Sequence, residues 1–291
     1  MHARRTPFFS SYYLILLIAL YLPIGILFLF SINDGVVFAF PLKGMTTHWY
    51  RDMLHNTELL KAVGSSVQVA IGSSLAATVL GTTAAIAVLR FQFKGKILFV
   101  TLALMPLLVP FIILGAALLV QFSGLGYERS LLTVAIAHTT VSLPYTLLVI
   151  MASMVGFDKH LEEAAQDLGA TYGYALRRVI LPLIAPAILA AWLVAFTVSF
   201  DEFILASFLI GRRPTLPVYL LSQLRFANRL PQVISLTILV MLSSLSLVLL
   251  AQWLQRRGST STRDLGAGQY TRMPGFEDIS FQIEDLDKQN G

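Results

Sequence analysis

Six mainly apolar stretches, near residues 12–32, 63–89, 97–122, 131–155, 183–210 and 232–254, alternate with short polar segments along the chain. A helix rising about 1.5 Å per residue needs roughly 20 apolar residues to cross the hydrocarbon core of a bilayer. Each stretch therefore predicts one transmembrane helix, and the fold class is all-α, with six spans over residues 12–257. The first stretch follows Arg4 and Arg5. It exceeds the roughly 7–15 residues of a signal-peptide core and is followed by no small-residue cleavage site, so it reads as an uncleaved span. Pro106 and Pro110 in the third stretch and Pro144 in the fourth predict kinks. Ser73, Ala77, Gly81 and Ala85 recur every four residues in the second stretch, a stripe of small side chains that lets another helix backbone approach closely.

Composition supports the same class. The 291 residues are 56% hydrophobic and 13% charged, with mean hydropathy +0.73, whereas a soluble domain carries about 25% charged residues. Too little charge is available to cover a water-facing surface. That excludes an ordinary soluble enzyme, a disordered chain and a nucleic-acid-binding domain, despite the net charge of +5 and pI of about 9.5. The basic residues instead report topology. With the N-terminus inside, 13 of the 21 Lys and Arg fall in inside segments, three of them (Arg90, Lys94, Lys96) in one short turn. Both termini are accordingly placed in the cytoplasm, with residues 1–11 as an N-terminal segment and residues 258–291, which hold six acids and three bases, as a flexible tail. Trp49 and Tyr50, in the outside loop before the second span, suit a short interfacial helix.

No catalytic constellation is present. The chain lacks a G-x-x-x-x-G-K-[ST] phosphate loop, an H-E-x-x-H zinc pair and a G-x-S-x-G elbow, and it has no cysteine. It is read as a non-enzyme without a cofactor or metal of its own. Of five scattered histidines only His138 lies in a span, either as part of a functional site or hydrogen-bonded to a neighbouring helix.

The inside loop 156–182 carries the strongest signal. Residues 159–168 are good helix formers, with Asp158 as a candidate N-cap and Glu162 and Glu163 in the first turns. Gly169 supplies a left-handed stop, residues 171–179 predict a second short helix, and Pro182 opens the next span. The order Glu163-Ala164-Ala165, three residues, Gly169, nine residues, Val179-x-Leu181-Pro182 resembles the EAA loop of permease subunits from binding-protein-dependent ATP-binding-cassette (ABC) importers, with Val179 where Ile is usual. Phe91 to Gly95, His138 with Leu143-Pro144, Gly156-Phe157-Asp158 and Ser199-Phe-Asp-Glu-Phe203 are similar to the spermidine/putrescine permease C subgroup, and the likeness runs from about Tyr12 to Arg257. The resemblance implies that residues 156–182 form a coupling helix docked on an ATPase subunit, which would bind the ATP and magnesium. It also implies a second permease subunit, two ATPase subunits, a periplasmic or extracellular solute-binding protein and a bacterial inner-membrane location. The expected solute is a polyamine or related cationic, amine-containing molecule, with an opine, aminoethylphosphonate, an amino acid or thiamine as the alternatives.

Asp201 and Glu202 interrupt the fifth stretch, where each carboxylate costs about 2.5–3.5 kcal/mol to insert. Asp201 follows Pro182 by 19 residues, roughly 28 Å of helix, which places the pair toward the outer face. Framed by Phe200 and Phe203, with His138 as a further candidate, they could meet a solute ammonium group. The alternatives are pairing with Arg212 or Arg213 and a position among the outer headgroups. An ion-coupled secondary transporter is the rival reading of the whole chain.

Overall fold

The computed structural model describes residues 7–36, 38–155, 160–243 and 245–246. Residues 1–6, residues 156–159 with the expected Asp158 cap, the end of the sixth stretch and the 258–291 tail lie outside the described residues. Among those described, the fold is helical apart from one isolated β-bridge, Asn33 to Met45. The chain divides into two units, Asn33–Val233 and Met1–Ile32 with Ile234–Gly291. In the terminal unit, α1 (Pro7–Ser31) is mainly apolar, and Ser235 Oγ donates to the Ser31 carbonyl at 3.1 Å.

In the larger unit a short α2 (His48–His55) carries Trp49 and Tyr50, at the place expected of the interfacial helix. Next comes α3 (Thr57–Arg90), whose first turn is capped by the Asn56 side chain accepting from Glu58 N and Leu59 N at 3.1 Å. The third stretch is split rather than kinked. α4 (Lys96–Leu104) runs into a 3₁₀ turn (Met105–Leu107), and α5 (Phe111–Gly124) restarts after Pro110 at an angle of 106°. Pro110 has no N–H to give and pushes the residue before it out of helical geometry, so the second proline converts a kink into a break. Pro144, by contrast, sits inside an uninterrupted α6 (Leu131–Val155).

The loop between α6 and the fifth span holds α7 (His160–Asp167) and α8 (Tyr172–Ala175). The expected stop near Val179 is absent. Instead α8 continues through a five-residue π segment (Leu176–Ile180) into α9 (Leu181–Asp201), giving one apolar helix over Tyr172–Asp201. The expected span to residue 210 ends early, at Asp201, and α10 (Ile204–Leu209) follows a two-residue break. α11 (Leu216–Gln223) leads to α12 (Leu230–Ser243). Four described helices are long and apolar enough to cross a membrane, or five if the bent α4–α5 pair is one span.

The centre of the larger unit is the mutual packing of α3, α6 and α9. Hydrophobicity does not drive helices together in lipid, so contact depends on close approach and polar bonds. The stripe expected from sequence supplies the approach: Ser73, Ala77 and Ala85 are fully buried. A Cβ placed on Gly81 would overlap Thr146 Oγ1 of α6, and that hydroxyl donates across to the Ala77 carbonyl at 2.9 Å. Gly81→Val should therefore push α3 off α6 and lower stability by about 1–3 kcal/mol, read as a lower melting temperature in detergent than that of the parent chain. An unchanged melting temperature would contradict the tight α3–α6 contact.

Candidate functional site

Two places gather the residues singled out by sequence. The first is the break after α9. Glu202 leaves the helix with extended backbone (φ −74°, ψ 120°), and its carboxylate folds over the start of α10. Oε1 accepts from the Leu205 N–H at 2.9 Å and Oε2 from the Ala206 N–H at 3.2 Å. The side chain thus replaces carbonyl partners that these N–H groups lost when the helix broke. At its other end α10 is tied to the start of α6, where the Leu209 carbonyl accepts from Ser130 N and Thr133 Oγ1, each at 3.1 Å.

Glu202 Oε2 also lies 3.2 Å from His138 Nε2, and the two side chains are 4% and 1% exposed. His138 Nδ1 is 2.9 Å from Ser199 Oγ, and Ser73 Oγ is 2.8 Å from the same hydroxyl. One set of directions serves the whole seam: Ser73 donates to Ser199, Ser199 donates to Nδ1, and the Nε2 side faces the carboxylate. Three long helices are joined by it. His138 therefore bonds to a neighbouring helix, and the basic side chain that meets the Glu202 carboxylate is this histidine rather than Arg212 or Arg213.

Asp201, one residue earlier, points differently and is exposed. Phe200 is half-buried and stacks on Phe196 at 5.9 Å between ring centres, and Phe203 is half-buried beyond the break. The adjacent acids are thus separated by about 100° of helix rotation into one inward and one outward carboxylate. Ser73 and Ser199 were not singled out as site residues. Their signal was present, Ser73 in the small-residue stripe and Ser199 heading the Ser-Phe-Asp-Glu-Phe run.

The second place is the loop carrying α7 and α8. Gly169 has φ +87°. Its N–H donates to the Gln166 carbonyl at 2.8 Å, and the Ala170 N–H reaches back to the Ala165 carbonyl at 3.1 Å. These two bonds make a Schellman motif, which requires the left-handed residue where the glycine stands. The Thr171 side chain then caps α8 by accepting from Tyr174 N. Glu163 and Ala164 are exposed, Ala165 is half-buried, and Leu168 is 90% exposed. The Glu163 carboxylate lies 3.2 Å from His160 Nδ1, with 65% of its side chain open to solvent. Val179 and Leu181 are half-buried in the π segment and at the start of α9, and Pro182 is exposed. The acid that sequence passed over is Glu162, which turns inward to Arg90 Nε at 2.9 Å.

Comparison with known proteins shows the family to which the chain belongs. The family model described as "binding-protein-dependent transport system inner membrane component" matches residues 77–259. The spermidine/putrescine transport system permease protein PotC of Escherichia coli (strain K12) is 34% identical over 238 residues, 81% of this chain and 89% of that protein. The putrescine transport system permease protein PotI of the same strain is 35% identical over 230 residues, 76% of this chain and 81% of that one. Among solved structures, a bacterial ABC transporter involved in the import of the acidic polysaccharide alginate aligns with TM-score 0.68 and 17% identity, covering 86% of this chain and 94% of its own, a likeness of fold. The chain belongs to the family of inner-membrane permease components of binding-protein-dependent ABC importers.

Proposed function

We propose that this permease, with a second permease subunit, forms the pathway for a small amine-bearing cation of the polyamine class. The solute would be delivered by an external binding protein, and transport would be driven by two ATPase subunits that bind ATP and magnesium. Both termini lie in the cytoplasm, and residues 156–182 are the segment that meets the ATPase. The observation that carries this reading is the solvent-facing turn itself: Glu163 on α7 and Leu168 just after it are turned outward, and the helix is closed at Gly169. A short polar helix exposing a carboxylate and an almost bare leucine suits a cleft on a soluble partner. ATP can shift the permease only if that partner holds α7 differently in its two states, because an equal fit to both would move no equilibrium.

For the solute, Asp201 is the proposed contact. Its carboxylate is exposed at the end of α9, while the Glu202 carboxylate is already engaged by two N–H groups and His138. An exposed carboxylate suits an ammonium group by charge-assisted hydrogen bonding. The permeases PotC and PotI, whose names specify spermidine and putrescine, support the same class. Glu202 and His138 act here by shaping the break that aims Asp201.

Asp201→Asn should raise the apparent KM for spermidine by about ten- to a hundredfold, the worth of one charge-assisted bond, with an unaltered melting temperature. Glu202→Leu should instead lower stability by about 1–3 kcal/mol, since it strips two buried N–H groups and a histidine of their acceptor. Uptake into vesicles and thermal melts separate the two outcomes, and equal uptake by the Asp201 variant and the parent would contradict the cationic assignment. Glu163→Lys should leave insertion intact and abolish solute-stimulated ATP hydrolysis in the reconstituted complex; full stimulation would remove the assigned role of the loop.

A further inference from the structure

Glu162 and Glu163 are neighbours in sequence and opposites in setting. Glu163 faces solvent with 65% of its side chain exposed, whereas the Glu162 side chain is 11% exposed and meets an Arg90 side chain that is 7% exposed. Successive helical residues point about 100° apart, so a two-residue acidic step on α7 necessarily gives the helix two differently facing carboxylates. The inward one reaches Arg90 Nε at 2.9 Å. Arg90 is the last residue of α3, the helix that packs along both α6 and α9.

A second contact lies beside the first. Phe91, the residue after Arg90, packs edge-to-face on Tyr172 at 5.4 Å between ring centres. Tyr172 is the first residue of α8, on the far side of the Gly169 turn from Glu162. Thus both arms of the turn, α7 and α8, are fastened to consecutive residues at one end of α3. Two contacts on opposite sides of Gly169 resist rotation about either.

We infer that Arg90 with Glu162, assisted by Phe91 with Tyr172, is the brace through which displacement of the α7 turn is passed to α3, and that Arg90 and Glu162 are positioning residues for coupling. The inference rests on the reading of residues 156–182 as the segment that meets the ATPase. The ion pair suits a force-bearing joint because both charges are largely withdrawn from water, where pulling them apart is costly. Exposed pairs of the same kind contribute little. The alternative path, through the covalent run from α8 into α9, passes through five residues of π-helix, a local irregularity in the hydrogen-bond ladder. The brace gives the turn a direct connection to α3 that bypasses it. The two glutamates then divide the work: Glu163 faces the soluble partner and Glu162 holds the permease.

The test is a double-mutant cycle on the reconstituted complex of permeases, ATPase and binding protein, using Arg90→Gln, Glu162→Gln and the pair together. The readout is spermidine-stimulated ATP hydrolysis per assembled complex and the ratio of solute imported to ATP hydrolysed. Each single variant should lose about fivefold or more of the stimulation, the lower end of typical coupling between sites. The double variant should be no worse than either single one. A purely structural role would reduce the yield of complex while leaving stimulation and the import ratio of the assembled fraction intact, and that result overturns the inference. Independent, multiplying losses in the double variant overturn it as well. Glu163→Lys measured in parallel separates the two levels. If that variant is silent, the coupling assignment of the loop fails. If it uncouples while the Arg90 and Glu162 variants do not, the brace alone fails.

Discussion

Close contact among α3, α6 and α9 is the constraint on which the rest of this permease depends. Lipid is as apolar as the helix surfaces, so there is no gain from hiding leucine against leucine. Contact has to be made by bringing backbones near and by satisfying polar groups across the gap. Gly81 against Thr146 does the first, and the bond from Thr146 to the Ala77 carbonyl does the second. Large apolar side chains such as Leu75, Val79 and Leu80 remain on the outside of α3, where a membrane or a partner subunit can meet them.

Polar chemistry is then found at two positions on this three-helix core, and in each a buried carboxylate is held by a basic side chain from another helix. At the break after α9, Glu202 meets His138 and caps the buried start of α10. Beside the α7 turn, Glu162 meets Arg90. Each buried acid has an exposed acid next to it in sequence, Asp201 in one case and Glu163 in the other. The pattern is physically economical: the inward carboxylate fixes local geometry and the outward one is left available to a cation or a protein partner.

Much of this could be read from the residues in advance. The length of the apolar stretches located the long helices, and Gly169 was recognisable because a left-handed stop after a run of helix formers has few other solutions. The stripe from Ser73 to Ala85 was legible for the same reason, since four small residues at helical spacing have a plain steric use. What could not be read was where a helix breaks. Pro110 severs the third stretch while Pro144 leaves α6 whole, and the difference depends on how neighbouring groups re-satisfy the backbone. The break at Glu202 has no glycine or proline to announce it. It exists because a carboxylate can stand in for missing carbonyls, and that is a tertiary fact about His138, Leu205 and Ala206. Glu162 was likewise hidden, because nothing in a pair of adjacent glutamates says which one turns inward.

The absence of cysteine makes one measurement especially direct: a single thiol introduced by Leu168→Cys, at a 90% exposed position of the α7 turn, followed with a membrane-impermeant thiol reagent in inside-out and right-side-out vesicles. If this turn is the cytoplasmic docking element, labelling occurs only from the cytoplasmic face and is blocked when the ATPase subunits are bound. Labelling from the outer face, or equal labelling with and without the ATPase, would contradict it.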